Sequence, residues 1–326
     1  MKRVIVICLF VSVVLILSGC VNTQQKSDPK IVRFPTSAPG EIKAMSFNIR
    51  VDTILDGLNR WSGRRKIVYD ILADNAADVV GVQEALDHQV RQIQRALPQY
   101  DHYAVGRNDG REKGESCAIF YRKDRFSLTD CGTFWFSDTP SKPGSKDWGN
   151  IWPRICSWVY LTEKITGNGF YVYNVHLAVL SQNSRQKSVE LLAKRIAARK
   201  PNDPFIVMGD FNMKLDNPAM VYLQNTDSET PYPRMQDAWR SLYPDGICKG
   251  TQPGLLGLSS GSKIDHIPVC EGAKVLDVQI DRRKVNGRYA SDHFPIIAKI
   301  DLAGLPNKLE PVAAEINPRK RQQNQP

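Results

Sequence analysis

Acidic, amide and histidine side chains follow several short apolar runs of this sequence. Glu84 comes after Asp-Val-Val-Gly-Val-Gln, and Asp210 and Asn212 come after Phe-Ile-Val-Met-Gly. A carboxylate in such a position is costly to bury without a partner, but it suits a crevice at the ends of a sheet, where ligands bind. The sequence therefore predicts such a crevice. The other residues of this kind are Asn48, His176, Asp265, Asp292 and His293.

These side chains offer mainly oxygen ligands. Mg²⁺ binds carboxylate and carbonyl oxygens, and it keeps several waters while using only a few carboxylates. The sequence has no Cys-x-x-Cys pair and no cluster of cysteine with histidine, which are typical of zinc sites. The set therefore predicts Mg²⁺ or Mn²⁺ rather than zinc.

Each motif has a simpler structural explanation when it is taken alone. A Gly-Asp-Phe-Asn segment is often only a turn, because Asp and Asn side chains bond their own backbone there. Ser-Asp-His at residues 291–293 would equally suit the entry to a strand, and His176 would suit a hydrogen-bonded core position. Their joint occurrence in one chain is what favours a catalytic site.

Apolar periodicity predicts the elements that position these residues. Helical spacing favours helices at Trp61–Asn75, Asp87–Leu97 and Arg185–Arg199. Mixed strands with helices at intervals predict an α/β body of two packed sheets with helices outside. The predicted strands are Ile42–Ile49, Asp78–Gln83, Tyr100–Gly106, Ser116–Tyr121, Thr133–Phe136, Ile155–Leu161, Phe170–Leu177, Phe205–Met208, Ile264–Val269, Val275–Ile280 and Pro295–Ile300.

Composition is that of a globular protein with one large domain. The chain has 326 residues, 42% of them hydrophobic, and a net charge of +10. That charge favours anionic partners such as phosphates or nucleic acid, or it serves only solubility. The dense alternation of basic and aromatic residues that marks a dedicated nucleic-acid groove is missing. Five of the seven cysteines lie beyond residue 20, so at least one thiol stays unpaired in an exported chain.

The two ends of the chain predict export and a membrane anchor. Lys2 and Arg3 precede a short apolar run that ends in Leu-Ser-Gly-Cys20, which is typical of an export signal. That ending also resembles the lipobox of bacterial lipoproteins, which implies cleavage before Cys20 and lipid attachment to its thiol. A plain signal peptide or a membrane anchor is the alternative. We expect a signal peptide at 1–20, a flexible tether at 21–40, the folded domain at 41–304 and a disordered tail at 305–326.

Six motifs in order resemble the endonuclease/exonuclease/phosphatase superfamily, which includes deoxyribonuclease I, abasic-site endonucleases, sphingomyelinases and inositol-polyphosphate phosphatases. The resemblance implies a four-layer α-β-β-α sandwich with two packed mixed sheets, and metal-dependent hydrolysis of a phosphate ester at the ends of the sheets. The motifs are Ser-Phe-Asn-Ile-Arg from residue 46, Val-Gln-Glu from 82, Asn-Val-His-Leu from 174, Gly-Asp-Phe-Asn from 209, Lys-Ile-Asp-His-Ile from 263 and Ser-Asp-His-Phe-Pro from 291.

The resemblance also implies a role for each matching residue. Glu84 would be the main metal ligand, with Asn48 and Asp292 completing the metal neighbourhood. Asp210 would orient or deprotonate the attacking water, and Asn212 would hold a phosphate oxygen. The two histidines complete the implied set: His293, oriented by Asp265, would contact the phosphate, and His176 would fill the second histidine position of deoxyribonuclease I.

The substrate is less well indicated. Arg107, Glu115, Trp148 and Arg154 lie in loops that are similar to those of bacterial superfamily members of undetermined substrate, and they would line a substrate pocket or serve only as loop and surface residues. Nucleic acid, phospholipid head groups, sugar phosphates and inositol phosphates all stay open. We expect a monomeric phosphoesterase lipoprotein of the cell envelope; a non-catalytic binding lipoprotein on the same fold is the alternative.

Overall fold

The computed structural model describes residues 37–224, 232–246, 250–255 and 261–305. The predicted signal peptide with Cys20, most of the tether and almost all of the tail lie outside these residues, so the predictions made for them stay predictions. None of the helices among the described residues has the length and apolar character needed to cross a membrane.

The described chain contains thirteen strands, five α-helices and one 3₁₀ turn. The helices are α1 (Trp61–Asn75), α2 (Asp87–Ala96), α3 (Gln182–Ala197), α4 (Pro218–Gln224) and α5 (Ala238–Leu242), and the 3₁₀ turn is Ile54–Asn59. The strands are β1 (Glu41–Asn48), β2 (Val79–Ala85), β3 (Tyr100–Tyr103), β4 (Ser116–Arg122), β5 (Phe126–Trp135), β6 (Ile155–Glu163), β7 (Gly169–His176), β8 (Phe205–Asp210), β9 (Met235–Asp237), β10 (Asp265–His266), β11 (Pro268–Cys270), β12 (Lys274–Ile280) and β13 (Ile296–Asp301).

These strands form two mixed sheets. The first has the order β12-β13-β1-β2-β4-β3, and the second has the order β5-β6-β7-β8-β11-β9, with β10 also paired to β8. Each sheet is antiparallel except for one parallel pair at its centre, β1 with β2 in the first and β7 with β8 in the second. The carboxyl ends of these four central strands carry Asn48, Glu84, His176 and Asp210.

Helices cover the outer face of each sheet. Ile67, Val68, Ile71 and Leu72 of α1 recur at helical spacing and pack with Val80 and other residues of the first sheet. Val189, Leu192, Ala193 and Ile196 of α3 do the same in the cluster that contains the second sheet. The result is a four-layer α-β-β-α sandwich, which confirms the predicted fold class.

A buried polar bridge joins the two sheets at the centre of the sandwich. Asn174 of β7 accepts a hydrogen bond from Nε2 of Gln83 in β2 at 2.6 Å, and its own Nδ2 donates to the carbonyls of Val82 and Ala118. Gly81 makes room for this contact, because a Cβ there would lie 2.6 Å from Sδ of Met208 and 2.9 Å from Cγ of Asn174. Polar atoms buried at such a point favour one alignment of the sheets over others.

Most predicted bounds, including those of β3 and α3, differ from the structure by at most about three residues, and two elements differ by more. The single strand predicted at Ile264–Val269 is divided into β10 and β11, because Pro268 lacks the N–H that a continuous ladder needs. The strand predicted at Thr133–Phe136 begins seven residues earlier as β5, whose polar residues lie at the edge of the second sheet. Edge strands do not need the continuous apolar pattern that identifies a buried strand.

Candidate active site

The predicted site residues meet where the carboxyl ends of the central strands of both sheets lie together. Asn48 is the contact between the two halves. Its Nδ2 donates to Oε1 of Glu84 at 3.1 Å and to Oδ2 of Asp210 at 3.0 Å. Two carboxylates from different sheets therefore flank one amide, and Oδ1 of that amide accepts the backbone N–H of Arg50 at 3.0 Å.

His293 and Asp265 form a hydrogen-bonded pair beside Asp210. Nδ1 of His293 lies 2.9 Å from Oδ2 of Asp265, and Nε2 of His293 lies 3.8 Å from Oδ2 of Asp210. β10 sets this geometry, because Asp265 pairs directly with Asp210 across the β8–β10 ladder. The next residue, His266, is buried and hydrogen-bonded to Asp237 and to the Met213 carbonyl, which fixes the strand from its other face.

The charged groups in this cluster shift one another's pKa values. Burial, together with the charge of Asp265, raises the pKa of Asp210 to about 7. Burial alone would lower the pKa of His293, but the carboxylates of Asp265 and Asp210 outweigh it and raise that pKa to about 10. His293 is therefore a cation near neutral pH, and Asp210 is a carboxylate that accepts a proton readily.

Glu84 and Asn212 share a backbone conformation that few residues adopt. Both have positive φ, 61° and 52° respectively, which is uncommon outside glycine and marks positions constrained by their surroundings. Oε2 of Glu84 accepts the N–H of Val51 at 3.0 Å. The N–H of Asn212 donates to Oδ1 of Asp210 at 2.9 Å, while its Nδ2 donates to the Leu177 carbonyl.

His176 lies on the second side of Asp210. Its Nε2 is 3.5 Å from Oδ2 of Asp210. Burial, followed by the charges of Arg154, Arg107 and His293, holds the pKa of His176 well below its usual value. The two histidines near Asp210 therefore differ in charge at neutral pH, with His293 protonated and His176 neutral.

Arg50 is a residue of this site to which the sequence analysis gave no role. Its Nη1 lies 2.6 Å from Oδ2 of Asp292, and its Nε lies 2.7 Å from Oδ2 of Asp56. Asp292 also accepts from the hydroxyl of Ser291, so its carboxylate is held from two sides. The available signal was the place of Arg50 in the Ser-Phe-Asn-Ile-Arg motif, two residues beyond Asn48.

The donor set fits a hard divalent cation. Carboxylate oxygens of Asp210 and Asp265 lie within 4.8 Å of each other. His293 belongs to the same cluster, but as a cation it donates hydrogen bonds and does not bind a metal. Oδ1 of Asp265 is buried and has no hydrogen-bond partner in the part of the chain that the structure describes, which is costly unless another group binds it. Glu84 adds a second carboxylate next to Asn48. The predicted metal ligands Asn48, Glu84 and Asp292 and the predicted catalytic residues thus surround one crevice, and their individual roles stay predictions.

A small recess of about 10 Å³, enough for roughly one water molecule, adjoins these residues through His176. Three of the four residues predicted to contact substrate line it, namely Arg107, Glu115 and Arg154, and it also includes His176. Trp148 does not line the recess. Its indole Nε1 donates to Asp138 and its ring lies under Nζ of Lys187, so its contacts are with the neighbouring loop and α3.

Comparison with known proteins agrees with this architecture. A crystal structure of an endonuclease/exonuclease/phosphatase from Bacteroides vulgatus is 30% identical and covers 80% of this chain and 99% of its own, with a TM-score of 0.74. A mannosyl-6-phosphatase of Bacteroides thetaiotaomicron is 31% identical over 79% of this chain and 99% of its own, with a TM-score of 0.69.

A fungal exoribonuclease subunit matches a shorter part of this chain. The Ccr4 exoribonuclease subunit of the CCR4-Not complex of Aspergillus terreus is 27% identical over 134 residues, which are 36% of this chain and 20% of that protein. The sequence model of the Endonuclease/Exonuclease/phosphatase family matches residues 45–293, a range that begins just before Asn48 and ends at His293. The chain belongs to the Endonuclease/Exonuclease/phosphatase family.

Proposed function

We propose that this protein is a hydrolase of phosphate esters that depends on a divalent cation, Mg²⁺ or Mn²⁺. The observation that carries the proposal is the meeting of Glu84 and Asn48 from one sheet with Asp210 and the Asp265–His293 pair from the other. A folded protein that used these residues only for structure would gain nothing from placing two carboxylates on one amide, with Asp265 beside Asp210, because like charges repel in a buried site.

Asp210 is suited to prepare the attacking water. General-base catalysis works best when the pKa of the base lies near the working pH, and burial raises the pKa of Asp210 to about 7. The Asn48 amide and the Asn212 N–H both hold its carboxylate, at 3.0 and 2.9 Å, so its orientation is fixed before substrate arrives. The proton of the water would pass to Oδ2, the oxygen that faces the two histidines.

His293 is suited to stabilise negative charge on the phosphate. Asp265 holds Nδ1, which leaves the protonated Nε2 to donate to a phosphate oxygen. Bound near Glu84, Asn48 and Asp292, Mg²⁺ or Mn²⁺ would supply Lewis acidity and neutralise charge on the phosphate. Phosphoryl transfer needs positioning and charge neutralisation more than covalent help, so this set is sufficient.

The support favours a small ester as substrate over nucleic acid. The relative named as a mannosyl-6-phosphatase matches 79% of this chain at 31% identity, whereas the exoribonuclease subunit matches 36% of it. We therefore propose a phosphomonoesterase, with a nuclease as the second candidate because of that exoribonuclease match.

The test is a hydrolysis screen with DNA, RNA, phospholipids and sugar phosphates side by side, in excess chelator and after addition of Mg²⁺ or Mn²⁺. We expect no activity in chelator and recovery with either cation. Full activity in excess chelator would rule out the metal-dependent mechanism. Binding of a phosphate ester without turnover under any cation would support the non-catalytic alternative instead.

We also propose that the mature protein is held at a bacterial membrane through lipid on Cys20. The support is the Leu-Ser-Gly-Cys ending of the apolar N-terminal run. A lipid anchor would place the domain outside the cytoplasm without a spanning helix.

A further inference from the structure

Exposed apolar side chains lie around the candidate active site. The described residues include twelve exposed large hydrophobic side chains, and seven of the twelve lie in three loops at the edge of the sandwich that carries the site. A single exposed apolar residue is ordinary, but a concentration of them in one region marks an interaction surface. We call these seven residues the apolar rim: Ile54, Leu55, Leu58, Ile151, Trp152, Val179 and Leu180.

Three residues of the apolar rim belong to the 3₁₀ turn Ile54–Asn59, which follows β1. They are 75% to 89% exposed, and the turn has no buried residue. Arg50 fixes this turn beside the site, because it binds Oδ2 of Asp56 through Nε at 2.7 Å and Oδ2 of Asp292 through Nη1 at 2.6 Å. These apolar side chains are thus held next to the crevice while they face solvent.

The other four residues of the apolar rim lie on the side of the second sheet. Two of them follow His176 at the end of β7, and two precede Arg154, which lines the small recess together with His176. Oγ of Ser181 donates to the Trp148 carbonyl at 2.8 Å, which joins the two loops. The crevice therefore lies between two groups of exposed apolar side chains, one from each sheet.

Exposed basic side chains adjoin the apolar rim beside the 3₁₀ turn. A Cβ on Gly63 would lie 2.7 Å from the Leu58 carbonyl and 3.4 Å from Nη1 of Arg288, so Arg288 is a neighbour of this turn. The N–H of Arg288 donates to the Val285 carbonyl at 3.0 Å, which holds the hairpin that also carries the exposed Lys284.

Positive charge is in excess on this side of the crevice. The nearby carboxylates of Asp56 and Asp292 are each paired with Arg50 already, at 2.7 and 2.6 Å. The exposed basic residues that add to this charge are Arg65, Lys284 and Arg288. The apolar tips of the rim are therefore accompanied by cationic groups, which complement an anionic surface.

We infer that the apolar rim and the basic residues beside it form a docking surface for an anionic phospholipid bilayer. Binding at a lipid interface grows with the apolar area that enters the head-group region and with basic side chains near anionic lipids. The polar crevice divides the rim into two parts, and a bilayer accommodates this division because each loop enters the head-group region separately. Docking turns the crevice toward the bilayer.

The proposed lipid on Cys20 is compatible with this docking, although the chain enters the domain at the far end of β1. Glu41 begins that strand, and Asn48, at the site, ends it. β1 is about 26 Å long at about 3.3 Å per residue, whereas residues 21–36 would span roughly 50 Å when fully extended. The predicted tether is therefore long enough for the rim to reach the bilayer that carries the lipid.

Trp152 is a native reporter for the test. It is 54% exposed, whereas the other five tryptophans are buried or half-buried. Residues 1–36 contain no tryptophan, so a lipid anchor alone gives no signal. Full-length protein is reconstituted in vesicles of phosphatidylcholine, or of phosphatidylcholine and phosphatidylglycerol in equal parts. Each kind of vesicle is prepared with and without brominated acyl chains, which quench only the indole rings close to them.

We expect brominated lipid to quench part of the tryptophan fluorescence in vesicles that contain phosphatidylglycerol, and Trp152→Phe to abolish that quenching. Ile54→Ser should lower the ratio of docked to undocked protein by about tenfold, because apolar carbons leave the lipid. Arg288→Glu should lower it by about 25-fold, since each of the two charges is worth roughly fivefold at an anionic surface. Added salt should weaken docking of the wild type, because it screens these charges.

Ile165→Ser and Lys164→Glu are the matched controls. Ile165 is 73% exposed, close to the 75% of Ile54, and both control residues lie in the turn between β6 and β7, at the opposite end of the second sheet from His176. Neither control should change the quenching. A melting curve of each variant shows that it is folded, and Leu55→Ser replaces Ile54→Ser if that variant does not fold.

Equal quenching in both kinds of vesicle would overturn the inference, because anionic lipid would then play no part. So would a loss of quenching in Ile165→Ser as large as the loss in Ile54→Ser. Absence of quenching would overturn it as well, and self-association in sedimentation that Ile54→Ser abolishes would then assign the rim to a second copy of the chain. None of these measurements involves turnover, so the proposed hydrolase function is tested separately.

Discussion

Asp210 is the residue on which both halves of the site depend. Its Oδ2 accepts from Nδ2 of Asn48 on the first sheet, and its Oδ1 accepts from the backbone of Asn212 on the second. The carboxylate is almost completely buried, and the charge of Asp265 lies beside it. A group in such surroundings is expensive for folding, so its presence is best explained by chemistry.

Asp210→Asn should therefore separate catalysis from folding. The amide keeps the volume of the side chain but cannot take a proton from water, so the rate should fall by about 10²–10⁴-fold. The melting temperature should fall little or rise, because a buried carboxylate that repels Asp265 is removed. Activity and melting are measured on the same preparation.

Asp237→Asn is the matched control, because Asp237 is also a buried carboxylate but has a cationic partner, Nζ of Lys263 at 3.5 Å. Breaking a buried ion pair typically costs about 3–5 kcal/mol, so this variant should lose stability clearly. An Asp210→Asn protein that keeps its rate and melts at a much lower temperature would show that Asp210 is only a turn residue.

The metal-free protein should lose stability as the pH rises from about 6.5 to 10. The folded-state pKa of His293 is raised to about 10, above the roughly 6.5 of an unfolded chain. The native state therefore binds this proton more tightly, and the stabilisation is complete below about pH 6.5 and is lost as the pH rises toward 10. Melting temperatures in chelator, compared between wild type and His293→Gln, measure the effect. Parallel curves for the two proteins would contradict it.

At the residue scale, the sequence predicted which residues lie at the site better than it predicted which side chains contact each other. Asn48, Glu84, Asp210, Asp265 and His293 were predicted to surround one crevice, and the structure brings them together. The Arg50–Asp292 contact was not predicted, because the two residues are 242 positions apart and only the antiparallel pairing of β1 with β13 brings them together. Residue type shows what a side chain is able to do, whereas its partner depends on the tertiary fold.

At the scale of elements, buried strands and amphipathic helices were predicted well. α1 was predicted at Trp61–Asn75 and has those bounds, because its apolar residues recur at helical spacing and Ala76 adopts the left-handed conformation that ends the helix. The short elements α4, β9 and α5 were not predicted. Segments of three to seven residues are too short for periodicity to identify, so they depend on packing against the sheet.

The hydrogen bond between Gln83 of β2 and Asn174 of β7 leads to a testable prediction about stability. Gln83→Leu or Asn174→Leu alone should cost about 1–3 kcal/mol or more, because each leaves buried partners without hydrogen bonds. The double variant should cost less than the sum of the two, since the hydrogen bond between them is lost only once. Urea unfolding of the four proteins gives the coupling energy. Strict additivity would show that Gln83 and Asn174 act independently.

At the scale of the whole molecule, the proposed lipid on Cys20 has a direct test. Cys20→Ala should block incorporation of radiolabelled lipid and leave an unprocessed precursor or a protein that is sorted wrongly. Cys117→Ala is a suitable control, because that thiol is free and buried within the domain. Normal lipid labelling of the Cys20→Ala protein would show that the anchor lies elsewhere or that none exists.

The site residues are divided between two sheets that the Gln83–Asn174 bridge joins. We therefore expect activity and secondary structure to be lost at different stages of unfolding. Neither sheet holds the whole set of proposed catalytic groups, since Glu84 lies on one sheet and Asp210 on the other. Small concentrations of urea that loosen the stacking of the sheets would separate the two carboxylates before either sheet loses its ladder hydrogen bonds. Activity should therefore disappear at a lower urea concentration than far-UV circular dichroism, and Asn174→Leu should widen that interval. Loss of activity would then measure the displacement of the two sheets relative to each other while each sheet is still folded.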